Sequence, residues 1–290
     1  MKKDKSIAIV ICYYGQFPWY FDYFLHSCIF NPTIDIFIVT DITTYANRLP
    51  NNVNLVFKTL QDVVCLASEK LGFQVVIDHP YKLCDLKPAY GLIFSDFLQG
   101  YDYWGQSDLD IIFGNIRNFI TDEILSIFDF ISIRHDYTTG CFALYKNGDF
   151  MNNFFKRSKD YKKVFSTKYN YCFDECNYMH DLLTDGASIF DLNTEIESFT
   201  EIVRTAEQNN EINALFDFML IEGVPGKIKF ENGQVFYNNK LEGILYHLFW
   251  LKRVYTPKVI PANIPDTYFI GPKTIYYKEK RRHLNTALEE

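Results

Sequence analysis

No apolar run in the 290-residue sequence approaches the ~20 residues that a membrane-spanning helix needs. The opening segment, Met1-Lys2-Lys3-Asp4-Lys5, leads into a strand-like stretch rather than an apolar signal region, so a cytoplasmic setting is expected. Excess positive charge is also lacking. The formal net charge is −7, and without a surplus of Lys and Arg general nucleic-acid binding is not expected. A phosphate ligand would have to be met locally, by a metal ion and a few basic groups. No internal repeat is visible. The seven cysteines (Cys12, Cys28, Cys65, Cys84, Cys141, Cys172 and Cys176) are odd in number and scattered, which fits reduced thiols rather than a disulfide framework. Cys172 and Cys176 stand at i, i+4 near His180 and sketch a zinc site, but no second pair with zinc-finger spacing accompanies them.

What is present in quantity is apolar and aromatic: 48% hydrophobic, 18% aromatic and only 22% charged residues, enough for one large α/β domain or a core with a small appendage. The chain is organised around Gly100-Tyr101-Asp102-Tyr103-Trp104-Gly105-Gln106-Ser107-Asp108-Leu109-Asp110-Ile111-Ile112-Phe113-Gly114. In extended backbone Asp108 and Asp110 point one way while Leu109 and Ile111 point the other. Two convergent carboxylates suit Mg²⁺ or Mn²⁺, ions that usually complete their shell with substrate phosphates, so a diphosphate ligand is expected. A structural Ca²⁺ site, or a pair of chance spacing, is the plainer alternative.

Ahead of that stretch, Ser6 to Gly15 reads as a fully buried parallel strand, Trp19 to Phe30 as a helix, and Ile34 to Asp41 and Val53 to Phe57 as further strands. This alternation predicts βαβ units with ligands at the carboxyl ends of the strands, where Tyr13, Tyr14 and Asp41 would meet a nucleoside, Asp41 being equally a cap. Gln61 to Leu71 reads as a helix closed by Gly72. Asp85 to Phe94 reads as another, with Asp85 as N-cap and Lys87 in the first turn, where a lysine either contacts phosphate or is solvated.

Beyond the acidic pair, Ile127 to Ile133 and Thr138 to Tyr145 read as strands, with Gly140 allowing close approach of a ligand. Phe154 to Lys168 reads as a basic helix. Phe173 to Tyr178 is expected to open a helix in which Asp174 and Glu175 are caps or a general base. Phe190 to Ile202 reads as strand and loop. Asn232-Gly233, between Ile228-Lys229-Phe230 and Gln234-Val235-Phe236-Tyr237, signals a hairpin. His247 is a packed core residue or a ligand from the far end of the chain. From Pro257 on, four prolines suggest an irregular arm, ending in Lys278-Glu279-Lys280-Arg281-Arg282-His283, a segment that is solvated or touches an anionic membrane surface.

This order of features, a nucleotide-binding α/β half, a central Asp-x-Asp and a late histidine, resembles glycosyltransferases of the GT-A fold. The likeness is greatest to bacterial capsule and lipopolysaccharide-type sugar transferases and looser to glycosyltransferase families 8 and 32. It runs from about Ile7 to about Arg253. The resemblance implies a Rossmann-type mixed sheet flanked by helices, a catalytic domain over residues 1–256 (nucleotide half about 1–115, acceptor half about 116–256) and an irregular C-terminal arm over 257–290. It implies Asp108, Asp110 and His247 as metal ligands, Asp108 also near the ribose, Lys252 and Lys87 at the diphosphate, and Asp174 or Glu175 as the acceptor-half acid. The implied reaction moves a hexose from a nucleotide sugar, UDP-linked in most similar enzymes, to a glycan or lipid-linked saccharide of the cell surface. Mn²⁺ or Mg²⁺ assists, and the anomeric outcome stays open. After His247 the sequence Leu248-Phe249-Trp250-Leu251-Lys252-Arg253 departs from the family-8 string, which has a glycine and a Lys-Pro-Trp. A non-catalytic glycan-binding or scaffolding relative, and a metal-dependent nucleotidyltransferase, are the competing readings. The latter is disfavoured because Trp104-Gly105-Gln106-Ser107 is a poor phosphate loop.

Overall fold

The computed structural model describes residues 4–45, 47–223 and 226–277. The opening apolar run forms β1 (Ile7–Cys12), followed by α1 (Phe21–Ile29), β2 (Ile34–Thr40), β3 (Val53–Phe57) and α2 (Leu60–Leu71). β1 pairs parallel with β2, and β2 with β3. Parallel strands need layers on both faces, and β1 supplies apolar side chains to each. Ala8 and Val10 join the core on the α2 side, whereas Ile7, Ile9 and Ile11 join the core on the α1 side. Removing one such side chain, as in Ile9→Ala, would cost about 2–5 kcal/mol. α2 has clear ends. Thr59 and Asp62 form a reciprocal capping box, and Gly72 closes the helix at φ 77°.

The remaining strands are β4 (Tyr103–Ser107), β5 (Ile111–Phe113), β6 (Phe130–Ser132), β7 (Phe142–Lys146), β8 (Ala214–Phe216), β9 (Leu220–Ile221), β10 (Ile228–Glu231), β11 (Gln234–Tyr237), β12 (Leu241–Gly243), β13 (Leu245–His247), β14 (Thr267–Gly271) and β15 (Thr274–Tyr276). A seven-stranded sheet runs β3-β2-β1-β4-β7-β6-β8, mixed because β7 is antiparallel to both β4 and β6. The architecture is thus mixed α/β, a large sheet flanked by helices. A three-stranded sheet, β5-β13-β9, and a five-stranded antiparallel sheet, β12-β11-β10-β14-β15, complete it. The Asn232-Gly233 hairpin forms between β10 and β11, with both residues at positive φ (47° and 83°) as a type I′ turn requires.

Several local expectations are corrected. Asp85 does not cap a helix: residues Pro80–Ala89 form a 3₁₀ segment ahead of a short helix at Tyr90–Ile93. The buried Asp85 carboxylate instead receives Lys82 Nζ at 2.7 Å and the backbone N–H groups of Tyr171 and Phe173. Lys87 consequently sits at the end of that segment rather than at a helix start. Phe173 to Tyr178 does not open a helix either, because Cys172, Asn177 and Tyr178 take positive φ; the helix begins at His180. Residues 199–208, read in part as strand, are helical, with Phe199, Ile202, Val203 and Ala206 buried at helical spacing. The strand expected over 127–133 shrinks to β6, since Asp122–Ile127 is a helix capped by Thr121. The basic stretch 154–168 is broken into a 3₁₀ turn and a helix at Tyr161–Phe165. The tail from Pro257 is irregular to Asp266 and then adds β14 and β15, because Tyr268, Ile270 and Ile275 bury against β10. The basic run 278–283 lies outside the described residues. Among those described, no helix is long and apolar enough to cross a membrane.

Candidate active-site cleft

β1 and β4 are adjacent and parallel, so the chain leaves the sheet side by side at Tyr13 and Asp108. There a cleft of about 300 Å³ opens, lined by Tyr13, Lys87, Asp108, Asp110, Gly140, Cys172, Asp174, Glu175, Glu222, His247 and Lys252 among others. Leu109 turns into the core while the flanking carboxylates turn into the cleft, although residues 108–110 form a bend between β4 and β5 rather than continuous strand. The crossing of two distant segments brings in the histidine. β13 pairs antiparallel with β5, His247 lies opposite Ile111, and the Leu248 N–H donates to the Asp110 carbonyl at 2.8 Å.

That register sets His247 Nε2 3.4 Å from Asp110 Oδ2, and ligand atoms of Asp108, Asp110 and His247 lie within 4.8 Å of one another. The other ring nitrogen, Nδ1, meets Glu222 Oε1 at 2.9 Å, and Glu222 in turn takes Arg134 Nη1 at 2.6 Å. Lysines hold both acids. Lys252 Nζ is 2.5 Å from Asp110 Oδ2, and Lys87 Nζ is 2.6 Å from Asp108 Oδ1, 2.9 Å from the Gly140 carbonyl and 3.8 Å from Asp174 Oδ2. A Cβ on Gly140 would fall 2.5 Å from Asp174 Oδ2, so the absence of a side chain is what lets the Asp174 carboxylate approach this backbone.

Electrostatics separates Asp110, Asp174 and Glu175. Burial would raise the Asp110 carboxyl, but His247 and Lys252 outweigh it and hold it well below the usual carboxylate range. Burial would lower His247, yet Asp110 and Glu222 on either side lift it to about 10. Asp174 is different: buried, it is raised well above an ordinary carboxyl despite the pull of Lys87. Glu175 is half-buried, and desolvation would raise it, but hydrogen bonding from His180, the charge of His180 and the Gly140 N–H outweigh this and bring it down to about 2. The two neighbouring acids therefore have opposite proton affinities.

Two carboxylates and one imidazole, with Glu222 orienting the ring, are a donor set that fits a divalent cation of the Mn²⁺ or Mg²⁺ kind. Of the residues singled out from the sequence, Tyr13, Lys87, Asp108, Asp110, Asp174, Glu175, His247 and Lys252 meet in the cleft. Tyr14 and Asp41 are not part of its lining. Tyr14 packs into the core on the α2 side, the opposite direction from Tyr13, and Asp41 accepts the Gly15 N–H at 3.1 Å, fixing the turn after β1. Glu222 escaped the sequence reading because nothing local marks it: it is an isolated acid after a two-residue strand.

The fold and cleft define a mixed α/β protein with an acidic candidate metal centre at the carboxyl ends of its sheet. The chain belongs to DUF6625, a family of unknown function, whose model matches residues 9–279. No curated protein matches it. Among solved structures, that of the galactosyltransferase LgtC in complex with donor and acceptor sugar analogs is similar at a TM-score of 0.34 and 12% identity, covering 61% of this chain and 70% of that one.

Proposed function

We propose that the protein is a metal-dependent glycosyltransferase that moves a sugar from a nucleotide-sugar donor, UDP-linked by expectation, to a glycan or lipid-linked saccharide acceptor. The observation that carries this reading is the convergence of Asp108, Asp110, His247, Lys87 and Lys252 on one cleft, where charge on a diphosphate could be met from several sides. A cation held by Asp108, Asp110 and His247 would supply electrostatic stabilisation of the departing diphosphate. Lys87 and Lys252 add cationic groups to the same wall, and Tyr13 offers an aromatic surface at the end of β1 where a base could stack. Asp174 is the better candidate for the base that takes a proton from the acceptor hydroxyl, because its affinity for protons is raised while that of Glu175 is lowered. A hexose donor, a cytoplasmic setting and a role in bacterial surface polysaccharide synthesis belong to this reading, with Mn²⁺ favoured over Mg²⁺ by the imidazole ligand.

The test is thermal unfolding with a panel of nucleoside diphosphates, each with and without Mn²⁺. A ligand at 100 times its dissociation constant stabilises by about 2.7 kcal/mol. The expected result is a midpoint shift that requires both one nucleotide and the metal and disappears in Asp110→Asn. A second reading, a non-catalytic glycan-binding relative, draws on the ion pairs that Lys87 and Lys252 make with Asp108 and Asp110. Absence of any nucleotide-dependent shift would favour it.

A further inference from the structure

A second group of donors lies on the same cleft. Cys172 Sγ is 3.3 Å from Glu175 Oε2 and 3.6 Å from His180 Nε2, and Glu175 Oε2 is 2.8 Å from that same nitrogen. A nucleophilic relay would use the two ring nitrogens separately, one toward the acid and one toward the thiol. Here the thiol and the acid approach one nitrogen, so three donor atoms face a single point. We propose that Cys172, Glu175 and His180 bind a second divalent cation, a thiophilic one of the zinc class, beside the Asp108 and Asp110 centre. The assignment stands apart from the sugar-transfer reading.

Dimensions support it. Zinc bonds of about 2.3 Å to sulfur and about 2.0–2.2 Å to nitrogen and oxygen, arranged tetrahedrally, place the ligand atoms roughly 3.4–3.6 Å from one another. The two edges that include sulfur already lie at 3.3 and 3.6 Å. The third, now closed to a hydrogen bond at 2.8 Å, would open by roughly 0.6 Å once the proton between acid and imidazole gave way to the ion. A thiolate, a carboxylate and a neutral imidazole carry two negative charges, which balances a divalent cation. The mixed sulfur, nitrogen and oxygen set also separates this centre from its neighbour, whose ligands are harder.

The ligands are held from outside as well. Glu175 Oε1 accepts the Gly140 N–H at 2.8 Å, and the His180 ring sits edge-on to Tyr137 with centroids 5.1 Å apart. Cys176, the partner suggested by i, i+4 spacing, is not in the group and packs instead with Tyr137, Leu183 and Ile189. With three donors from the described residues, and Cys172 and Glu175 lining the cleft, a fourth coordination position remains for water or a ligand oxygen.

Cobalt titration of the full-length protein tests the assignment, because a thiolate ligand gives Co²⁺ an intense near-ultraviolet charge-transfer band that an oxygen and nitrogen site cannot give. The expected result is a band saturating at one equivalent, displaced by Zn²⁺, lost in Cys172→Ser and His180→Gln, and retained in Asp110→Asn. Circular dichroism of the variants checks that they are folded. Absence of the band in the wild-type protein would overturn the proposal without recourse to any variant, and so would a band that survives Cys172→Ser. Nucleotide-dependent Mn²⁺ binding would persist in the first case, so the two readings fail separately.

Discussion

The two candidate metal centres share a cleft and are built by opposite means. Asp108 and Asp110, in the bend between β4 and β5, and His247, in β13, come from segments far apart in the chain and are brought together by the β5–β13 ladder. Cys172, Glu175 and His180 come from nine consecutive residues whose backbone is irregular, with Cys172, Asn177 and Tyr178 in the left-handed region. Long-range pairing fixes the first, so its geometry depends on the whole fold. Local turns and the distant Asp85 carboxylate hold the second, which meets its neighbour through the Gly140 peptide and Lys87 on one side and through Tyr137, Arg134 and Glu222 on the other. The first centre is flanked by strands on both sides, whereas the thiol of the second sits on irregular backbone.

Asp174 stands between the centres and should respond to neither as a ligand. Asp174→Asn is expected to lower turnover by about 10²–10⁴-fold while metal-dependent nucleotide binding persists, as measured by steady-state transfer and thermal shift. Equal losses of binding and turnover would instead make Asp174 part of the donor site.

Glu222→Gln sharpens the contrast from the sheet side. The His247 ring would lose its carboxylate partner, and Mn²⁺ affinity, measured by titration with nucleotide present, should fall about 10–100-fold. The cobalt band of the other centre should stay as it is.

Gly140→Ala reaches both centres at once. Its Cβ would lie 2.5 Å from Asp174 Oδ2, 3.2 Å from Lys87 Nζ and 3.3 Å from Glu175 Oε1, so these groups must move apart. Chemical denaturation should register a loss of about 1–3 kcal/mol, with both metal responses weakened. If one response were unaffected, the two centres would be mechanically independent.

The smallest effect expected is a control outside both. His26, on α1, is buried, which lowers its affinity for protons in spite of Asp266 at 3.2 Å. The unfolded chain therefore protonates first as the pH falls. Its contribution to stability is complete above about pH 6.5 and is lost below that, down to the lower folded value. A comparison of midpoints for the wild type and His26→Gln between pH 5 and pH 7 checks the sign: the wild type should lose stability faster on acidification.

What could be read from the sequence was whatever short-range chemistry determines. The apolar run of β1 needs two covered faces, and the structure gives it two. Thr59, Asp62 and Gly72 end α2 because capping and left-handed backbone act over one turn, and Asn232-Gly233 fixes its hairpin for the same reason. Asp108 and Asp110 do face one space, as extended backbone would have them do, but they lie in the bend between β4 and β5, whose path is set by the packing of those strands. Local signals also misled. Asp174 and Glu175 resembled residues at a helix start, yet the chain on either side of Cys172 is held in turns by distant partners, including the Asp85 carboxylate that accepts the Tyr171 and Phe173 N–H groups.

Tertiary structure decided the partners. Nothing within reach of His247 along the chain names Ile111 as its opposite, Glu222 as its second contact or Asp110 as its neighbour; burial of Leu245 and Tyr246 in the strand that carries them sets that register. Likewise the choice of Glu175 over Cys176 beside Cys172 and His180 turns on positive φ angles and an apolar pocket that takes the second thiol. Periodicity and capping act between residues a few positions apart and are written in the chain. The meeting of remote side chains is a property of how the elements pack, and it exists only once the sheet has closed around them.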